Sequence, residues 1–195
     1  MTPDASSELH SSAPERITLH GRTFIRYIER HIIAEAIHTI AATINQDYAG
    51  REIVLLVILK GAMMFAADLA RALNITVQLE FLRASSYGSA LSSSGTVTLE
   101  SNSQLEIVRG RDVIIIEDIA DSGVTIRALC NRIHQFGPRS LAVAALLSKP
   151  SVHKGTIQLD YVGIEIEPVF VVGYGLDYNE LGRNLPDIYR LADHD

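Results

Sequence analysis

One cysteine, Cys130, stands in the 195 residues, so no internal disulfide can form, and its place on the apolar stripe of a helical pattern marks it as core. A reducing compartment, the cytoplasm, is the expected location. A basic excess is also missing. With 17 Lys and Arg against 23 Asp and Glu, a net charge of −6 argues against a nucleic-acid-binding surface. No hydrophobic run is long enough to cross a bilayer: the most apolar region, Ile53 to Leu59 and on through Ala67, is interrupted by Lys60-Gly61. No membrane partner is expected. Residues 1–14, MTPDASSELHSSAP, lack the basic start and apolar run of a secretory signal and read as a short, polar, disordered tail. Internal repeats, heptads and low-complexity linkers are absent too, which leaves residues 15–195 as one domain. Neither the G-x-x-x-x-G-K-[ST] pattern of a P-loop nor the G-x-G-x-x-G of a dinucleotide fold occurs.

What is present centres on VIIIEDIADSGVT, residues 113–125. Four β-branched residues, Val113 to Ile116, predict a strand buried on both faces inside a parallel sheet. Glu117 and Asp118 follow at its carboxyl end, where open α/β sheets place their ligands. The loop Asp121-Ser122-Gly123-Val124-Thr125 then leads into a helical pattern at Ile126, Leu129, Cys130 and Ile133. Free N–H groups at a helix start, two hydroxyls and a glycine suit a phosphate, and carboxylates beside them suit hydroxyls or a metal. The plainer alternative, a capping residue beside a solvated strand end, is weakened by the concentration of three acidic groups next to that cradle.

The remaining pattern is α/β. Ile28, Ile32, Ala36, Ile40 and Ile44 mark one face of an amphipathic helix; His31 and His38 lie on it without a third ligand, so no metal site is assigned there. Ile53 to Leu59 predicts a buried strand, Lys60-Gly61 a turn, and Met63, Met64, Ala67 and Leu69 a helix whose methionines fill core. Val77, Leu79 and Phe81 alternate as a strand leading into the loop at 85–95, and Val97 and Leu99 suggest the return arm of a flap that closes over a site. Leu141 to Leu147 predicts a further strand ending at Lys149-Pro150. Three parallel strands therefore finish in Lys60-Gly61, Glu117-Asp118 and Lys149, bordering one crevice. Residues 160–166 and 169–175 are expected to cover it as a small antiparallel addition.

LVILKGAMMFAADLAR, FLRASSYG, IIIEDIADSGVT, LLSKP and PVFVVGYGLDYNELGRNLP, in that order from about Ile17 to Leu191, resemble the type I phosphoribosyltransferases, specifically the 6-oxopurine branch. The resemblance implies an α/β fold with a central, mostly parallel twisted sheet flanked by helices, a mobile flap, and a small hood from the N-terminal segment and about residues 160–195. It implies transfer of phosphoribosyl from 5-phosphoribosyl 1-pyrophosphate to hypoxanthine or guanine in purine salvage, with Mg²⁺, in a homodimer or homotetramer.

By the same resemblance Glu117 and Asp118 hold the ribose hydroxyls, directly or through Mg²⁺. Asp121, Ser122, Gly123, Val124 and Thr125 bind the 5-phosphate, and Asp121 is the general base facing N7 of the purine. Lys60 and Gly61 form the pyrophosphate loop, where this dipeptide often has a cis bond. Arg183 grips pyrophosphate, and Asp177 lies near a second Mg²⁺. Phe170 stacks on the base, Ile119 packs behind it, Lys149 meets the 6-oxo group, and carbonyls near Val171 and Asp177 meet the ring edge. Ser86 and Tyr87 mark the flap tip. Ala62, where a second glycine is common, and Val124, where some relatives have lysine, imply weaker phosphate affinity. Rival readings are a regulator of the same fold that senses the substrate and binds nucleic acid, and a transferase for adenine or a pyrimidine.

Overall fold

The computed structural model describes residues 13–86, 97–99 and 102–192. Apart from Ala13 and Pro14 the expected tail lies outside the described residues, as does Tyr87. Ten strands and four α-helices follow in the order β1 (Arg16–Leu19), β2 (Arg22–Ile28), α1 (Arg30–Asp47), β3 (Glu52–Leu59), α2 (Met63–Ala72), β4 (Thr76–Ser86), β5 (Val97–Leu99), a 3₁₀ turn (Asn102–Val108), β6 (Asp112–Ala120), α3 (Val124–His134), β7 (Ser140–Ser148), α4 (Pro150–His153), β8 (Tyr161–Glu165), β9 (Val171–Val172) and β10 (Ile188–Leu191).

The main sheet runs β5-β4-β3-β6-β7-β8, with β4 through β8 parallel and β5 antiparallel at the edge. Alternation along its central strands explains why they are continuously apolar. On β3, Ile53, Leu55 and Val57 face the layer of α1 and α2, while Val54, Leu56 and Ile58 face α3 and the 3₁₀ turn. On β6, Ile114 and Ile116 share the first face, Val113 and Ile115 the second. Burying each such side chain contributes about 1.5–3 kcal/mol, so both helical layers are fixed to the strands that carry the site.

A second, smaller sheet, β1-β2-β10-β9, is antiparallel and has its own cluster of Phe24, Val172 and Tyr189. Residues 160–166 and 169–175 therefore do not form one addition. Tyr161–Glu165 joins the main sheet parallel to β7, as the intervening α4 crossover permits, and only Val171–Val172 enters the hood.

Two other expectations are corrected. Four-residue steps overshoot the helical turn by about 40° each, so the expected stripe walks off the buried face. Ile28 ends β2, Ile32 is 40% exposed, and the buried set is Ile33, Ile37, Ile40, Ala41 and Ile44. On α2 the buried residues are Phe65, Ala66 and Leu69; Met63, about 200° round the axis from Phe65, is exposed rather than core. The β4 residues Leu79 and Phe81 are exposed as well, whereas Val77 on the same face of the strand packs against the cluster beneath α1 and α2.

Candidate active site

The carboxyl ends of β3, β6 and β7 meet as the charge pattern anticipates. Glu117 and Asp118 sit inside β6 rather than after it, three and two residues before its end at Ala120. Asp118 Oδ1 accepts a hydrogen bond of 2.8 Å from the Ile119 N–H. Glu117 Oε2 is buried with no hydrogen-bond partner among the described residues. Burial, and then the charge of Asp118, hold the Glu117 carboxyl well above its ordinary value. Burial likewise pushes Asp118 up to about 6, opposed by backbone N–H groups and by Arg183.

That shift has a sign. A carboxyl with a raised folded-state value binds its proton more tightly when folded, so its contribution to stability is complete below about pH 4 and is lost as pH rises through about 6. Asp118→Asn cannot ionise, yet its amide oxygen still accepts from Ile119. In the ligand-free protein it is expected to stabilise by about 1–3 kcal/mol at pH 8 and by progressively less toward pH 5. Thermal unfolding across that range measures the effect; a gain independent of pH excludes burial of the charged carboxylate as its cause.

Next to the pair lies the expected phosphate cradle. Gly123, at φ +75°, caps α3, and an 11-residue helix presents its free N–H groups there. Asp121 and Ser122 are exposed, and Glu117, Ile119, Asp121, Ser122, Gly123 and Thr125 line a cavity of about 70 Å³. Behind the loop, Ile157 fills the space a side chain at 123 would need: a Cβ would lie 2.6 Å from it. Larger concavities of about 410 and 230 Å³ lie between α1 and α2 and behind α3, away from these strand ends. The chemistry, not the volume, places the site.

From β7, Lys149 is 8% exposed, and its Nζ donates to Asp121 Oδ2 at 2.9 Å. A buried ammonium thus points at the cradle from the adjacent strand.

At the end of β3 the cis bond is Leu59–Lys60, one peptide earlier than the Lys60-Gly61 expectation. Glycine at 61 has another reason: a Cβ there would stand 1.5 Å from Asp118 Oδ2. Gly175, at φ +99°, approaches the other side, where its own Cβ would lie 2.0 Å from the Gly61 carbonyl oxygen. The loop is therefore clamped between β6 and the segment after β9.

Asp177 and Arg183 belong to that segment, with Arg183 Nη2 2.6 Å from Asp177 Oδ1 and Nη1 donating to the Gly175 carbonyl at 2.8 Å. Arg183 Nε is buried and unpartnered among the described residues. Glu180, which the motifs do not single out, joins here: Lys60 Nζ donates to its Oε2 at 2.8 Å, and Arg183 lies 3.7 Å away. The Lys60 hydrogen bond lowers the Glu180 carboxyl below its usual value. Both partners are exposed, so the contact is weak and readily exchanged for an anion. Only folding across 120 residues brings Lys60 and Glu180 together.

Phe170 is 48% exposed, edge-on to Tyr178 at 5.8 Å, which opposes its reading as core and leaves a free aromatic surface. Ile119 and Val171 pack in or against the first core cluster. The flap's base is formed by pairing of Ser86 with Val97. Among the described residues no group of three or more metal-ligating side chains occurs. Glu117 and Asp118 nevertheless supply hard oxygens, one of them unpartnered, so a divalent cation fits if a diphosphate or hydroxyls complete its shell.

Against known proteins, the model for the phosphoribosyl transferase domain matches residues 26–179. The hypoxanthine-guanine phosphoribosyltransferase of Mycobacterium tuberculosis is 38% identical over 191 residues, 95% of this chain and 90% of the relative. That of Aquifex aeolicus is 35% identical over 176 residues, covering 90% and 98%. A crystal structure of a Bacillus anthracis hypoxanthine-guanine phosphoribosyltransferase superposes with a TM-score of 0.78 at 37% identity, over 86% of this chain and 98% of that one. A Staphylococcus aureus hypoxanthine phosphoribosyltransferase gives 0.78 at 36%, over 86% and 90%.

Proposed function

The chain belongs to the type I phosphoribosyltransferases, among the hypoxanthine-guanine enzymes, and from that membership we infer that it moves the 5-phosphoribosyl group of 5-phosphoribosyl 1-pyrophosphate to N9 of a 6-oxopurine. Hypoxanthine gives IMP and guanine gives GMP, with pyrophosphate released, which is purine salvage. The observation that carries the base assignment is the buried Lys149 ammonium aimed at Asp121.

The residues divide the chemistry. Asp121, Ser122, Gly123, Val124 and Thr125 hold the 5-phosphate at the start of α3, whose first N–H groups have no intrahelical partner and no side-chain cap from Gly123. Carbon 1 of the ribose becomes cationic as pyrophosphate departs, and Glu117 and Asp118 stabilise it while fixing the ribose hydroxyls. Lys60, Gly61 and Arg183 receive the pyrophosphate, for which Lys60 and Arg183 exchange their contacts with Glu180. N9 bonds to carbon 1 as the carbon–oxygen bond breaks, and Asp121 takes the proton from N7. Phe170 stacks on the ring, Ile119 packs against the opposite side, and carbonyls at Val171 and Asp177 meet its edge. Glu117, Asp118 and Asp177 would hold Mg²⁺, which would neutralise charge on the departing diphosphate.

Magnesium and 5-phosphoribosyl 1-pyrophosphate together are expected to raise Tm by more than the sum of each alone, because each completes the other's shell. Asp118→Asn is expected to remove that excess. Additive shifts in the wild type would count against the metal assignment.

A donor-only lysine satisfies a 6-carbonyl but meets the 6-amino group of adenine donor to donor. Turnover of hypoxanthine, guanine, xanthine and adenine by wild type and Lys149→Met tests this. The substitution is expected to lower kcat/KM for hypoxanthine by about 10- to 150-fold and for adenine far less. An unchanged hypoxanthine-to-adenine ratio would remove the role given to Lys149.

The net charge of −6 argues against a nucleic-acid partner, and among the described residues no helix is long and apolar enough to cross a membrane. Exposed Leu79, Phe81 and Met63 support a homodimer or homotetramer; the cytoplasm is the location that the single cysteine fits.

A further inference from the structure

Ser148 and His153 form a buried polar pair to which the reaction gives no role. They are 2% and 8% exposed, and Ser148 Oγ lies 3.0 Å from His153 Nε2. The Gly155 N–H donates to His153 Nδ1 at 3.3 Å. Nδ1 is therefore the acceptor, the ring proton sits on Nε2, and that N–H donates to the serine oxygen.

The two residues bracket Lys149. Lys149 leaves β7 with its own N–H on the Ala120 carbonyl at 2.9 Å and its carbonyl receiving the N–H groups of Val152 and His153 at 2.9 and 3.2 Å. It is the N-cap of α4, a four-residue helix that starts at Pro150 and has no side-chain cap. A helix that short does not hold itself in water, so its attachment to the sheet decides where it sits. The imidazole of its last residue provides that attachment, reaching back to the residue just before Lys149. On the other side of the strand end, the Ser148 carbonyl accepts from the Ile166 N–H at 2.8 Å, tying the same point to the chain that leads to Phe170.

We propose that His153 is a positioning residue for base recognition, holding the Lys149 main chain through Ser148 so that its ammonium meets the 6-oxo group. The proposal rests on the reading of Lys149 as the reader of that group. His153 acts through Lys149, without touching substrate.

His153→Ala and Ser148→Ala are expected to raise KM for hypoxanthine by about 5- to 20-fold and to narrow the hypoxanthine-to-adenine ratio, with KM for 5-phosphoribosyl 1-pyrophosphate within about twofold of wild type. His153→Gln places an amide donor near the position of Nε2 and is expected to restore most of the loss. In a Lys149→Met background His153→Ala is expected to change hypoxanthine KM by less than about twofold, since the two substitutions share one route. Should His153→Ala fail to fold, Ser148→Ala, which deletes a single oxygen, carries the same test. Equal rises in both KM values, no rescue by glutamine, or an undiminished effect in the Lys149→Met background would each overturn the proposal. Lys149→Met without effect on the base ratio overturns the underlying reading; an effect there with none in His153→Ala or Ser148→Ala overturns the positioning role alone.

Discussion

Asparagine at Asp121 is expected to lower kcat by about 10²- to 10⁴-fold, the usual cost of losing a general base, while KM for 5-phosphoribosyl 1-pyrophosphate changes by less than about fivefold. The side chain keeps its size and one acceptor oxygen, so the Lys149 hydrogen bond of 2.9 Å can persist while the proton acceptor is gone. Steady-state kinetics with each substrate saturating in turn separates the two effects. Asp121 also offsets the charge of the buried Lys149, and an uncompensated ammonium there would weaken hypoxanthine binding. A kcat near wild type with only a raised hypoxanthine KM would reduce Asp121 to that second task.

The second large effect is steric. Gly61→Ala is expected to lower kcat/KM by at least about 10²-fold, because the new methyl group would stand 1.5 Å from Asp118 Oδ2 and 2.6 Å from its Cγ. Asp118 must swing away from the proposed ribose position, and the loop proposed to receive pyrophosphate must shift with it. Gly175→Ala attacks the same contact from the far side. There the clash at 2.0 Å is with the Gly61 carbonyl, a backbone atom unable to rotate aside, and the backbone at φ +99° disfavours a side chain as well. Both variants are expected to bind 5-phosphoribosyl 1-pyrophosphate poorly in calorimetry. Turnover within about threefold of wild type would show the loop to be pliable and the clamp unimportant.

These contacts mark the boundary of what the chain reveals as a string of residues. Val113 to Ile116 could be read as a doubly covered strand because both faces demand apolar side chains, a purely local requirement. A helix after the loop was equally legible, since the apolar pattern from Ile126 is local, although it starts at Val124, inside the expected loop, with Gly123 as its cap. The face of α1 was misjudged because a four-residue rhythm imitates a helical one over a turn or two and then drifts, leaving Ile32 in solvent. Met63 was misjudged because hydrophobicity alone does not say which side of a helix has a neighbour. The approach of Gly61 to Asp118 and Gly175, the Lys60–Glu180 contact and the Ser148–His153 pair depend on distances between elements, or on one atom's reach, that spacing does not encode. The β-strands at 161–165 and 171–172 were each recognisable, but their assignment to different sheets follows from where the chain crosses between layers.

The smaller sheet joins β2 to β10, pairing Ile25 with Arg190 and Phe24 with Leu191, so its central ladder closes a loop of about 160 residues. A growing polypeptide can complete β3, β6 and β7, with the phosphate cradle, well before its last strand has been synthesised. The hood proposed to cover the base cannot be complete until then, since among the described residues β9 pairs only with β10. Contacts so distant in sequence are late and slow to form. The hood's own cluster holds three fully buried side chains, with Ile28, Val171 and Ile188 joining it to the main core, and the small sheet is expected to open before the central strands. Amide exchange is therefore expected to be faster at Val172 and Tyr189 than at Val57 or Ile115, and translation intermediates ending before Ile188 would hold the proposed phosphate site and Lys149 without a formed hood around Phe170.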